Sequence, residues 1–118
     1  MTKYLGVFRN ADETKQVPAG ALIFAEGDPG EEMFGVISGV VELVHAERVV
    51  ATLSIGEVFG EMALVDSTAR SLTARAIEDT ELAVIGRRTF LFLVHETPTF
   101  ALQVMSSLAD RLRQYGVS

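Results

Sequence analysis

The chain has 118 residues and a hydrophobic fraction of 48%, enough for one folded domain with a single core and too apolar for a disordered tail. Its net charge of −6 and the lack of a basic stripe argue against nucleic acid as a partner, because Lys and Arg must neutralise phosphates there. There are no cysteines, which rules out disulfides, thiol nucleophiles and thiolate metal sites and fits a reducing cytoplasm.

Residues 2–10 predict a short amphipathic helix with Leu5, Val7 and Phe8 on its apolar side. Val17-Pro18-Ala19-Gly20 reads as a turn into a strand over residues 21–25. Glu26-Gly27-Asp28-Pro29-Gly30 stops that strand with strong turn chemistry. Residues 33–37 and 40–44 flank Ser38-Gly39 and predict a hairpin. Residues 48–53 predict a return strand after a tight turn at Ala46-Glu47, and residues 72–76 and 81–85 predict two more strands. Past Gly86 the period changes to that of a helix ending near Glu96. Thr97-Pro98 opens a second helix that runs to about Gln114 and stops at Gly116. Its inward stripe is expected to hold Phe100, Val104, Leu108 and Leu112, widened by Ala101 and Met105, with Leu102 at the edge.

Short strands broken by regular turns, with helices before and after, predict an α+β class. The expected β architecture is an antiparallel β jelly roll, or double-stranded β-helix, with a short N-terminal helix and C-terminal helices. Residues 1–118 read as a single domain, with no repeat, linker, signal peptide or membrane span. The paired arginines Arg87 and Arg88, and the nearby Arg111 and Arg113, read as solvated surface. His45 and His95 are the only histidines and have no ligand spacing, so neither a metal site nor a catalytic cluster is expected.

The stretch richest in chemistry runs from Gly56 to Ser71. Glu61 and Arg70 stand nine positions apart, separated mainly by small and apolar residues. A carboxylate accepts hydrogen bonds from sugar hydroxyls, and a guanidinium fork matches two phosphate oxygens. Together they suit a molecule carrying both a ribose and a phosphate. Alternatively, Glu61 caps a short helical turn and Arg70 is a surface arginine or a partner of Glu61 or Asp66.

The order Phe59-Gly60-Glu61-Met62-Ala63-Leu64, then Arg70-Ser71-Leu72-Thr73-Ala74-Arg75-Ala76, resembles the phosphate-binding cassette of cyclic nucleotide-binding domains. The resemblance spans nearly the whole chain. Turn glycines at Gly20, Gly27, Gly39 and Gly56 agree with it. It implies an eight-stranded jelly roll flanked by helices. It also implies that Glu61 accepts the ribose 2′-OH and that Arg70 and Ser71 hold the cyclic phosphate. Backbone N–H groups around Met62, Ala63 and Ser71 would add donors, and Gly60 would let the backbone approach closely. A serine at position 71 tilts the ligand toward cAMP, with cGMP as the other candidate. Tyr115 would fall near the base as a lid and stack on it.

Two positions depart from the family pattern. Ala69 stands where many members carry proline, and Leu72 stands where a small residue is common. A Leu72 side chain pointing inward would narrow the pocket, and one pointing outward would join the core. The function these features imply is a non-enzymatic cyclic nucleotide sensor, with no cofactor, that signals to a protein partner or through a homodimer. The alternative is a jelly-roll interaction module that no longer binds nucleotide.

Overall fold

A computed structural model of the chain describes residues 5–65 and 69–114, with the side chains of Leu5 and Gln114 outside the description. Helix α1 covers Leu5–Arg9. Strands β1 to β6 follow at Thr14–Val17, Leu22–Phe24, Glu32–Ser38, Val41–His45, Arg48–Leu53 and Val58–Phe59. A short helix α2 (Met62–Val65) precedes β7 (Thr73–Ala76) and β8 (Thr80–Gly86). Helices α3 (Arg87–Glu96) and α4 (Thr99–Gln114) close the order. The class is α+β, as expected.

The eight strands form two four-stranded sheets, β1-β8-β3-β6 and β2-β7-β4-β5, with every pairing antiparallel. This is the jelly roll. Side chains alternate between faces along a strand, and β3 and β8 use both faces. Phe34, Val36, Leu82 and Val84 point into the core between the sheets, where they meet Ile23, Leu43, Leu53 and Phe59. Met33, Ile37, Ala83 and Ile85 point the other way, under Phe8, Phe100 and Val104 of the helices. A sheet covered on both faces explains why these strands read as continuous apolar runs. Phe8 meets Phe100 edge-on at 6.3 Å, tying α1 to α4.

The expected hairpin at Ser38-Gly39 does not form. β3 pairs with β8 and β6, whereas β4 pairs with β5 and β7, so Gly39 carries the chain from one sheet to the other. In a jelly roll, strands adjacent in sequence need not be neighbours, and local turn chemistry does not reveal that. β1 and β6 were also not anticipated: β1 is a polar edge strand and β6 has only two residues. The turn at Ala46-Glu47 does join a true hairpin, β4–β5, and both residues hold positive φ, at 50° and 65°.

The inward row of α4 also differs from expectation. Phe100 and Val104 are buried and Leu108 is half-buried, but Met105 and Leu112 are exposed and Arg111 is buried. Repeated steps of four advance about 40° each around a helix, so by the third step the row has turned out of contact. Phe100, Val104 and Arg111 drift far less and share the inner face. The helix begins at Thr99, two residues after the expected cap: Thr97 closes α3, its N–H donating to the Leu93 carbonyl at 2.8 Å, while its carbonyl accepts the Phe100 N–H at 2.9 Å.

A left-handed conformation costs an L-residue about 1–2 kcal/mol, and Asn-Gly is the sequence that two-residue hairpins favour. Replacing Ala46-Glu47 by Asn-Gly is expected to raise stability by about 1 kcal/mol. A urea unfolding midpoint that stays put or falls would contradict this reading of the turn.

Candidate functional site

β6 runs straight into Gly60, whose φ of 80° turns the chain into α2. Glycine takes that φ without strain, and a side chain there would also press on the Arg70 guanidinium. Glu61 and the start of α2 therefore face the mouth of the barrel. Arg70 arrives from the other side, just before β7. Its backbone is pinned to the β2–β3 turn: its N–H donates to the Asp28 carbonyl and its carbonyl accepts from the Gly27 N–H, each at 2.8 Å.

The Arg70 side chain is 8% exposed. Its Cζ sits 4.2 Å from the centre of the Phe24 ring, and Nη1 donates to the Gly60 carbonyl at 3.2 Å. Gly30 packs against the guanidinium so closely that a methyl group there would collide with it. Nε is buried without a hydrogen-bond partner among the described residues. Among the described residues no carboxylate forms an ion pair with Arg70. Burial pushes its pKa below the ordinary arginine value, with Glu32, Asp28 and Glu61 opposing from a distance. Arginine nevertheless stays charged in proteins, so this is a desolvated cation with donor capacity left over.

Glu61 is 5% exposed and does have a partner. Arg111, from the inner face of α4, donates through Nη2 to Glu61 Oε1, and through Nη1 to the Val58 carbonyl at 3.2 Å. Arg111 is thus not solvated surface, as its charge alone suggested. It is buried and joins the last helix to the cassette. The available signal was its place seven residues after Val104, on the same helical face. Arg87 stands exposed but likewise reaches the cassette, donating from the start of α3 to the Leu64 carbonyl at 2.8 Å. That contact puts a cation at the C-terminal end of α2, where a helix favours it.

Gly60, Glu61, Met62, Ala63, Arg70, Ser71 and Leu72 all line one cavity of about 40 Å³. Glu61, Arg70, Ser71 and Arg111 form its polar wall, and Phe24, Leu43 and Leu72 its apolar wall. The Ala63 N–H, one expected donor, already reaches the Gly60 carbonyl at 3.3 Å. Leu72 meets both expectations at once: it lines the cavity and packs against the inter-sheet core. Tyr115 lies outside the described residues. Among the described residues no three His, Asp or Glu side chains gather as metal ligands.

Burial raises the Glu61 pKa above its ordinary 4.5, and Arg111 opposes that shift. A carboxyl with a raised folded pKa weakens the fold when ionised, and the penalty fades as pH falls toward the unfolded value. Arg111→Ala removes the opposing charge. It is expected to cost about 3–5 kcal/mol at neutral pH, and the deficit relative to the parent should shrink as pH approaches 4.5. Urea unfolding of both proteins across that range measures it. A deficit independent of pH would contradict a role through the charge of Glu61.

Residues 14–97 match the family profile described as "Cyclic nucleotide-binding domain". The chain is 42% identical over 102 residues to the Cyclic AMP receptor protein of Thermus thermophilus, covering 82% of this chain and 47% of that one. It is 37% identical over 106 residues to Lysophospholipase NTE1 of Chaetomium globosum, covering 86% of this chain but 7% of that one. The chain therefore spans about half or less of the length of these relatives. The crystal structure of Thermus thermophilus Catabolite Activator Protein superposes with a TM-score of 0.78 at 36% identity, covering 98% of this chain and 57% of that one. With the profile covering well over half of its residues, the chain belongs to the cyclic nucleotide-binding domain family.

Proposed function

We propose that residues 1–118 form one non-enzymatic sensor unit for a cyclic nucleotide, with cAMP as first candidate and cGMP as second. The observation that carries this is the Arg70 guanidinium: buried, without an ion-pair partner among the described residues, and lining the same cavity as Glu61. A cyclic phosphate supplies the missing anion, and Glu61 supplies an acceptor for the ribose 2′-OH. Ser71, on the cavity rim, adds a hydroxyl for the phosphate. The name of the Thermus relative supports cAMP.

Ligand pockets usually enclose about 300–1,000 Å³, so a cavity of about 40 Å³ must open for a nucleotide to enter. A second cavity of about 270 Å³ lies against the other side of Glu61, walled by Leu64, Val65, Phe90, Leu91 and Val104. It gives α2 room to shift. Because Arg111 and Arg87 tie the cassette to α4 and α3, that shift moves the helices, and a ligand that favours one arrangement biases the equilibrium. Leu102, Met105, Ala109 and Leu112 repeat along the outer side of α4 at steps of three and four, the spacing of a seam with a second copy of the chain. Among the described residues no helix is long and apolar enough to cross a membrane, and the lack of cysteine favours the cytoplasm.

The small cavity also favours a second reading, a jelly-roll interaction module without a ligand. The thermal midpoint separates them. A ligand that binds only the folded state at about 100 times its Kd stabilises by about 2.7 kcal/mol. Saturating cAMP is expected to raise the midpoint by several degrees, and Arg70→Ala should abolish the rise. No rise in the parent supports the interaction module, and a rise that survives in Arg70→Ala contradicts the cassette reading.

A further inference from the structure

We propose that the cavity between α2, α3 and α4 is a second ligand site, for a free carboxylic acid with an apolar chain of roughly eight carbons, and that its occupant opposes nucleotide binding. The opposition, though not the site itself, rests on the nucleotide reading above.

This cavity encloses about 270 Å³, against about 40 Å³ beside Arg70. An engineered apolar cavity of about 150 Å³ admits benzene, so a short alkyl chain has room here. The buried Leu64, Val104 and Glu61 mark its floor, and the exposed Val65, Leu91 and Arg87 its rim. Phe90, half-buried, completes the apolar wall. The two ends differ in charge. The acid on the floor, Glu61, is already held by Arg111 and offers an anion nothing. The cation on the rim, Arg87, makes one hydrogen bond among the described residues, from Nη1 to the Leu64 carbonyl at 2.8 Å, and no ion pair. A guanidinium has further N–H donors to give. An anionic head group is therefore turned outward onto Arg87, with its chain against Leu64, Phe90, Leu91 and Val104.

Glu61 lines both cavities, and Leu64 belongs to α2. The room into which α2 shifts to admit a nucleotide is the room that a bound chain fills. Octanoate and cAMP should each weaken the other by the same factor, about fivefold or more. Octanoate itself should bind about tenfold more tightly than octanol, because only the carboxylate pairs with Arg87. From butanoate to octanoate, affinity should rise by about fourfold per methylene buried. Arg87→Gln keeps a donor for the Leu64 carbonyl and removes the charge, so octanoate should fall to the level of octanol. Leu91→Asp sets an acid on the rim and should abolish octanoate binding. Both positions are exposed, so neither change threatens the core.

The test is calorimetric titration of the parent and both variants with butanoate, octanoate and octanol, then of the parent with cAMP with and without saturating octanoate. Circular dichroism verifies the fold of the variants. Saturable octanoate binding at about one site per chain, reduced as stated in both variants, supports the site. No octanoate binding by the parent, or equal binding by parent and variants, overturns the site and leaves the nucleotide reading standing. An affinity for cAMP that octanoate leaves unchanged overturns the opposition alone. Octanoate binding without any cAMP binding overturns the opposition together with the nucleotide reading and leaves the site.

Discussion

A guanidinium taken out of water, with no ion-pair partner among the described residues, is the constraint around which this structure is arranged. Desolvating a cation is expensive unless other groups replace its hydration. Here the replacements are partial: the face of Phe24, one carbonyl at Gly60, and distant acidic side chains. Several features secure the geometry. Asp28 and Gly27 hold the backbone of Arg70, and Gly30 and Gly60 lack the side chains that would displace its head group. The fold thus holds a buried cation with donor capacity left over, the feature on which the proposed anion site rests.

The neighbouring carboxylate is treated in the opposite way. Glu61 is as deeply buried, yet Arg111 neutralises it. The two charged groups of the cassette therefore differ in what they connect to: Arg70 to the barrel and the β2–β3 turn, Glu61 to the last helix. A ligand touching both would bridge the rigid jelly roll and the helical segment. The core supports that division. β3 and β8 are buried on both faces, so one sheet serves as a common wall for the barrel interior and for the helices.

Much of this was legible in the sequence, for definite reasons. The cassette compresses its chemistry into one short loop, so typed residues at fixed spacing revealed it, and all seven expected residues within the described region line one cavity. Most strands were visible as apolar segments between turns. What escaped was set by long-range geometry. Strand pairing across Gly39 depends on sheets that form from distant segments, and β6 is too short to carry a pattern. Arg111 escaped because a charge on a helix reads as surface unless the helical phase is followed over eleven residues, from Phe100 to Arg111. Over that span a four-residue step departs from the true inner face. Leu112 looked buried because of that drift, and Arg111 looked exposed because of its charge.

The most direct measurement is a crystal structure of the protein grown with cAMP. The account predicts the cyclic phosphate oxygens on the Arg70 guanidinium, including the buried Nε that has no partner among the described residues, with the ribose 2′-OH on Glu61. A nucleotide seated elsewhere, or an Arg70 that keeps its present contacts beside an empty cavity at saturating ligand, would contradict it.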